Sequence, residues 1–136
     1  MKKIISSDRA PKATGPFSQA VLDNHKYRLE LSGQIGIDPN SGKLAEGGLI
    51  NETEQTLNNI EAILKEVGWG FKNVIKARIY LADINDYTKV NEIYARRFPT
   101  EPPSRIALAV KSLPLGALVE IECTATGDEV NDKING

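Results

Sequence analysis

From Tyr27 to Ser32 apolar and polar residues alternate: Tyr27, Leu29 and Leu31 on one side, Arg28, Glu30 and Ser32 on the other. A period of two predicts a half-buried strand over 27–32. A shorter strand is predicted over 19–22, joined to it by the polar turn Asp23-Asn24-His25-Lys26. The same alternation over 73–82 sets Ile75, Ala77, Ile79 and Leu81 against Lys76, Arg78 and Tyr80. Strands over 104–110 and 118–126 follow, separated by Leu113-Pro114-Leu115-Gly116. Elsewhere the period lengthens. Leu57, Ile60, Leu64 and Val67 recur three and four apart, which predicts a helix. Asn51 and Glu54 form a capping-box pair at its start, and Gly68 stops it. A second helix over 86–97 places Tyr87, Val90, Tyr94 and Arg97/Phe98 on one side and ends at Phe98-Pro99.

The predicted order is β-β-β-α-β-α-β-β. That is an α+β domain in which both helices cover the apolar face of one mixed sheet. The opposite face is expected to carry Arg28, Glu30, Lys76, Arg78, Arg105, Glu120 and Glu122, and to meet water or another subunit. Residues 10–17 read as a loop, and 38–43 as dense turn chemistry. One domain over 1–126 is expected, followed by a polar C-terminal tail over 127–136.

Composition removes several functions. The 136 residues are 40% apolar and 26% charged, with a net charge of −1, one Cys and one His. One Cys forbids an intrachain disulfide, and one Cys with one His cannot make a Cys/His zinc site. Near-neutral charge gives no field for nucleic acid or for an acidic membrane. No apolar run approaches the ~20 residues of a membrane helix. A basic start without an apolar stretch is not a signal peptide. A cytoplasmic enzyme or binding domain remains.

Few residues offer chemistry. Arg105 has Ala107 and Ala109 as same-face neighbours, which leaves room above a guanidinium that binds carboxylates through two charge-assisted hydrogen bonds. It is equally a sheet arginine paired with Glu120 or Glu122. A glutamate beside such an arginine orients or deprotonates a water, or is a solvated carboxylate. Periodicity does not choose between Glu120 and Glu122. Cys123 falls on the apolar side as an inert core thiol. His25 is a turn residue and Trp69 a packing anchor. Gly33-Gln34-Ile35-Gly36 lacks the rest of a dinucleotide fingerprint.

Several blocks together resemble one family. They are Ala10-Pro11, Gly15-Pro16-Phe17-Ser18-Gln19-Ala20, Ser32-Gly33-Gln34-Ile35 and Asp38-Pro39. In the middle are Asn73-Val74-Ile75-Lys76, Leu81-Ala82-Asp83-Ile84-Asn85-Asp86-Tyr87 and Val90-Asn91-Glu92-Ile93-Tyr94. Pro102-Pro103-Ser104-Arg105, Leu113-Pro114 and Gly116-Ala117-Leu118-Val119-Glu120-Ile121-Glu122 complete the set. The chain resembles the RidA (YjgF) family of enamine/imine deaminases over about residues 3–126. The resemblance implies a chorismate-mutase-like fold and a homotrimer with clefts between subunits. It implies hydrolysis of reactive 2-imino acids and enamines (2-iminobutanoate, 2-iminopropanoate), released by pyridoxal-phosphate enzymes such as threonine dehydratase. The products are 2-keto acids and ammonia, with no metal and no organic cofactor. It places the catalytic arginine on Arg105 and the water-handling glutamate on Glu120. Phe17, Ser32, Gly33, Asn91 and Ala107 fall on substrate-binding positions. Phe17 departs from the usual Tyr, Ala107 from the frequent Cys or Ser, and Ala109 from a common Glu. The Ala109 departure bears on the trimer centre, while those at Phe17 and Ala107 keep a second reading in play, a non-catalytic trimeric small-molecule-binding or regulatory protein. An endoribonuclease label, which the family also carries, conflicts with the acidic balance, the single His and the absence of a basic stripe.

Overall fold

The computed structural model describes residues 1–135. To the expected β-β-β-α-β-α-β-β order it adds a two-residue hairpin and a terminal turn of helix. The elements are β1 (Lys2–Ile5), β2 (Ala20–Asp23), β3 (Tyr27–Glu30), β4 (Ile37–Asp38), β5 (Lys43–Leu44), α1 (Leu49–Glu66), β6 (Val74–Leu81), α2 (Tyr87–Arg97), β7 (Ser104–Ala109), β8 (Val119–Gly127) and α3 (Asp132–Asn135). Short 3-10 turns occupy Phe71–Asn73, Ile84–Asp86 and Pro114–Gly116.

The main sheet is mixed and four-stranded, in the order β3-β8-β6-β7. β8 runs antiparallel to both neighbours, and β6 and β7 are parallel. A parallel pair needs a crossover, which α2 supplies. β1 and β2 form a separate antiparallel ladder, hooked to the main sheet where Ser18 bridges Ser104.

Alternation places the core. Ala77, Ile79 and Leu81 of β6 are buried, as are Val119, Ile121 and Cys123 of β8, with Leu57, Ile60 and Leu64 of α1 and Val90, Ile93 and Tyr94 of α2. Ile75 does not join its expected row. A β-bulge between Val74 and Lys76 takes it out of phase, and Val74 is buried instead. The Ile75 carbonyl accepts from the Ser104 hydroxyl at 3.1 Å.

Helix α1 starts earlier than its capping-box pattern suggests. Gly47 and Gly48, at φ 104° and 88°, turn the chain into the helix, a geometry that favours glycine. Asn51 therefore lies inside α1, and its amide donates back to Glu46 O at 2.7 Å. One turn in, the buried Glu52 accepts from Leu118 N at 2.9 Å and so ties α1 to the start of β8. Gly68, at φ 86°, ends α1 as expected. Beyond β8, Asn131 N donates to Val67 O at 3.1 Å and Trp69 Nε1 to Glu129 O at 2.7 Å, which lays residues 128–135 against the end of α1.

Candidate functional site

Arg105 lies on β7, the edge of the main sheet, opposite Ala77 of β6. Residues directly opposite on paired strands share a face. Ala77 is buried under the helices, so the Arg105 side chain also emerges there, against α2. Its Nη1 donates to Asn91 Oδ1 at 2.8 Å and its Nη2 to Tyr87 Oη at 3.0 Å. Tyr87 and Asn91 are one helical turn apart, so a single stripe of α2 holds both arms of the fork. Aromatic rings complete the setting. The guanidinium carbon lies 5.2 Å from the Phe17 ring centre, 5.7 Å from Tyr87 and 5.1 Å from Tyr94, within the range of cation–π attraction.

Phe17 reaches this place because its loop is pinned. Ser18 N donates to Pro103 O at 3.1 Å and Ser18 Oγ to Pro102 O at 2.5 Å. Tyr94 is fully buried and stacks on Phe98 with ring centres 4.5 Å apart. Burial pushes its phenol up, out of any ordinary titration. Burial also pushes the Cys123 thiol up to about 12, so it stays protonated and inert. Arg28, Arg78 and Arg97 each pair with a glutamate, whereas Arg105 has no carboxylate partner among the described residues. The result is a half-buried cation, fixed in position and uncompensated. That is what a carboxylate ligand needs.

Glu120 sits elsewhere. It lies opposite Tyr80, on the face of the sheet turned away from the helices. Beside it, Leu31 N donates to Cys123 O, and Gln34 and Ile121 exchange backbone bonds. Three residue steps on one side against two on the other leave one extra residue at Ser32-Gly33, a bulge that presses that exposed backbone against Glu120. A Cβ at position 33 would lie 2.3 Å from Glu120 Oε2, so glycine there leaves the carboxylate its place. Glu120 accepts no hydrogen bond from the described residues. Glu122 differs: it accepts from Tyr80 Oη at 2.8 Å and has Arg78 Nε at 3.9 Å. The carboxylate in turn holds the Tyr80 phenol above its usual range.

The site residues therefore form two groups, Arg105 with Phe17 and Asn91, and Glu120 with Ser32 and Gly33. Ala107, opposite Ile79, faces the helices two places on from Arg105. The expectation that Arg105 shares the polar face with Glu120 and Glu122 is wrong. Alternation shows that Arg105 and Ile106 point apart without showing which points inward. β7 turns Ile106 and Leu108 to the open face, leaving Ile106 46% exposed, because the α2 stripe opposite Arg105 is polar and aromatic and satisfies a guanidinium. Tyr87 and Tyr94, absent from the expected site, also belong to the Arg105 setting. Their spacing of four and three residues from Asn91 on a predicted helix was the available signal. Among the described residues, no three of His, Cys, Asp and Glu gather as a metal cluster.

Comparison with known proteins fits this geometry to a family. A family model described as endoribonuclease L-PSP matches residues 7–127. The chain belongs to this family, the RidA (YjgF) family. A 2-iminobutanoate/2-iminopropanoate deaminase from Bos taurus is 49% identical to this RidA-family chain over 125 residues, 92% of this chain and 90% of its own length. The crystal structure of a putative endoribonuclease from Thermotoga maritima is 39% identical and superposes with a TM-score of 0.72, covering 94% of this chain and 99% of its own. A Rid-family protein of unknown function from Yersinia pestis is 27% identical with a TM-score of 0.82, covering 92% and 98%. The mixed sheet with helices on one face is thus the Rid fold. No helix among the described residues is long and apolar enough to cross a membrane.

Proposed function

We propose that this RidA-family protein hydrolyses 2-imino acids and their enamines, such as 2-iminobutanoate and 2-iminopropanoate, to 2-keto acids and ammonia. The observation that carries this reading is Arg105: a fixed guanidinium without a carboxylate of its own, in a family whose relatives are named as deaminases of this substrate class. Arg105 clamps the substrate carboxylate, with Asn91 orienting the fork and Phe17 walling the pocket. Glu120 orients a water that attacks the imine carbon. Ser32 and Gly33 line the water's side, and Ala107 lies beside the bound carboxylate. The protonated imine is already a strong electrophile, so positioning supplies most of the catalysis. Water adds to the carbon, a proton passes to nitrogen, and ammonia leaves as the carbonyl forms.

The reaction then takes place between copies. Arg105 and Glu120 belong to opposite faces of one sheet, so a substrate on Arg105 meets a Glu120 contributed by a neighbouring subunit. The half-exposed Ile106 on the open face supports such a contact. The reading therefore includes a homotrimer with three shared clefts, working in the cytoplasm next to the pyridoxal-phosphate enzymes that release its substrates, without metal or organic cofactor. Phe17, which offers no hydroxyl, favours a second reading, a trimeric small-molecule-binding or regulatory protein using the same clefts. Release of ammonia and keto acid from freshly generated imine separates them. The deaminase reading expects turnover by the native protein and at least a tenfold loss in Arg105→Ala, from losing charge-assisted bonds of about 1.5–3 kcal/mol each. Equal release with and without protein overturns it.

A further inference from the structure

Three rings surround Arg105, and they are not equivalent. Phe17 has no polar atom. The Tyr94 hydroxyl is fully buried and has no hydrogen-bond partner, so it faces the core and is closed to a ligand. Tyr87 alone brings an oxygen to the guanidinium, accepting from Arg105 Nη2 at 3.0 Å. A phenol has one hydrogen to donate besides the lone pairs with which it accepts. Since Arg105 occupies a lone pair, that hydrogen points elsewhere, and it has no acceptor among the described residues. Tyr87 is only half-buried, so the hydrogen is within reach of whatever Arg105 binds. A hydroxyl that accepts from a cation is polarised into a better donor.

We infer that Tyr87 is a further substrate-binding residue, whose hydroxyl donates its hydrogen to the carboxylate held on Arg105. This rests on the reading of Arg105 as a carboxylate clamp. The ligand class follows from the chemistry: a planar 2-imino or 2-keto acid whose carboxylate accepts from the arginine fork and, through one of its oxygens, from the phenol as well. An amide in place of that carboxylate carries no charge for the cation and a weaker acceptor for the phenol, so both contacts weaken. Tyr87 thus contributes to selectivity for acids over their amides, alongside Arg105.

The test uses the native oligomer with 2-ketobutanoate and 2-ketobutanamide as probes, together with imine turnover. In Tyr87→Phe the ring stays and the hydroxyl goes. The Kd for 2-ketobutanoate is expected to rise about tenfold, the size of one hydrogen bond to a charged group, while the Kd for the amide rises less. KM for the imine rises similarly and kcat stays within about twofold, because the contact exists in ground and transition states alike. A tyrosine that only braces Arg105 as an acceptor would also weaken binding when removed. Fluorotyrosine at position 87, assayed well below its phenol pKa, tells the two apart. It is a stronger donor and a weaker acceptor, so tighter keto-acid binding supports the inference and weaker binding overturns it. An unchanged Kd in Tyr87→Phe, with binding abolished by Arg105→Ala, also overturns it while the clamp stands. Binding that survives Arg105→Ala removes the clamp, and the inference with it.

Discussion

Arg105 and Glu120 stand on opposite faces of the same four-stranded sheet, Arg105 level with the buried Ala77 and Glu120 level with Tyr80. On the proposed reading, one chain presents the carboxylate-binding half of the site on its helical side and the water-handling half on its open side. A monomer holds both halves and joins neither, so activity should fall with dilution below the assembly's dissociation constant. Light scattering and turnover measured over one concentration series check this, and full activity at monomer mass contradicts it.

Replacing Arg105 by lysine keeps the charge and loses the fork. A lysine ammonium is a point charge that cannot bond Asn91, Tyr87 and a carboxylate in one plane. Arg105→Lys is expected to retain measurable keto-acid binding, weakened about tenfold, with melting within a few degrees of the native protein. Calorimetric titration and a thermal melt on one sample check both.

Gly33→Ala is a test of the Glu120 setting. The backbone at 33 is not left-handed, so the obstacle to a Cβ is the flexible Glu120 side chain, with Oε2 at 2.3 Å, Cδ at 3.0 Å and Cγ at 3.3 Å. The fold accommodates the methyl by moving that carboxylate. Stability should change by less than about 1 kcal/mol, since Gly33 is exposed and Glu120 only half-buried, while imine turnover falls about tenfold. Denaturant titration and initial rates distinguish these effects.

The two glutamates of β8 should separate in the same way. Glu120→Gln leaves the ligand's charge partner intact, so keto-acid binding persists and turnover drops, an amide being a poor base. Glu122→Gln disturbs the bonds to Tyr80 and Arg78 and should cost up to about 1 kcal/mol of stability without altering turnover per folded site. Loss of turnover in Glu122→Gln alone would reverse the assignment.

Acid should destabilise the fold through two carboxylates. Burial pushes Asp23 up, but hydrogen bonds with His25 and Thr126 outweigh it and hold the carboxyl below its usual range. The Thr124 hydroxyl, then Arg28 close by, hold Glu30 low as well. Carboxyls lowered by folding stabilise the native state above their unfolded pKa values, and that stability is lost as pH falls through the lowered folded values. The melting temperature is therefore expected to fall as pH drops below about 4. Asp23→Asn should lower melting at neutral pH and flatten the acid limb, as a melt series from neutral to acid would show.

Much of the fold was legible because period and burial agree. Leu57, Ile60 and Leu64 repeat at helical spacing and are all buried, and Ala77, Ile79 and Leu81 do the same at strand spacing. Local chemistry was less readable. Gly47 and Gly48 start α1 ahead of the apparent Asn51 cap, because two left-handed residues outweigh one side-chain bond. Ile75 left its row because a bulge adds a residue without any mark in the pattern. For the site, the motif blocks supplied the residues but not their sides. The phase of an edge strand is set by what packs over it, and the Tyr87-Asn91-Tyr94 stripe of α2 draws Arg105 inward against the apolar claims of Ile106 and Leu108. Glu120 and Glu122 look alike in the sequence, and only the Tyr80 and Arg78 contacts separate them.

Mixing two inactive variants tests the shared cleft most directly. Arg105→Ala keeps a sound Glu120, and Glu120→Gln keeps a sound Arg105. Purified separately, each should be nearly inactive. Dissociated, mixed in equal amounts and reassembled, they should recover about a quarter of the native imine turnover, because about one cleft in four then pairs a sound arginine from one copy with a sound glutamate from another. Turnover that stays at the level of the separate variants, in a mixture shown by mass to have exchanged subunits, would contradict the account.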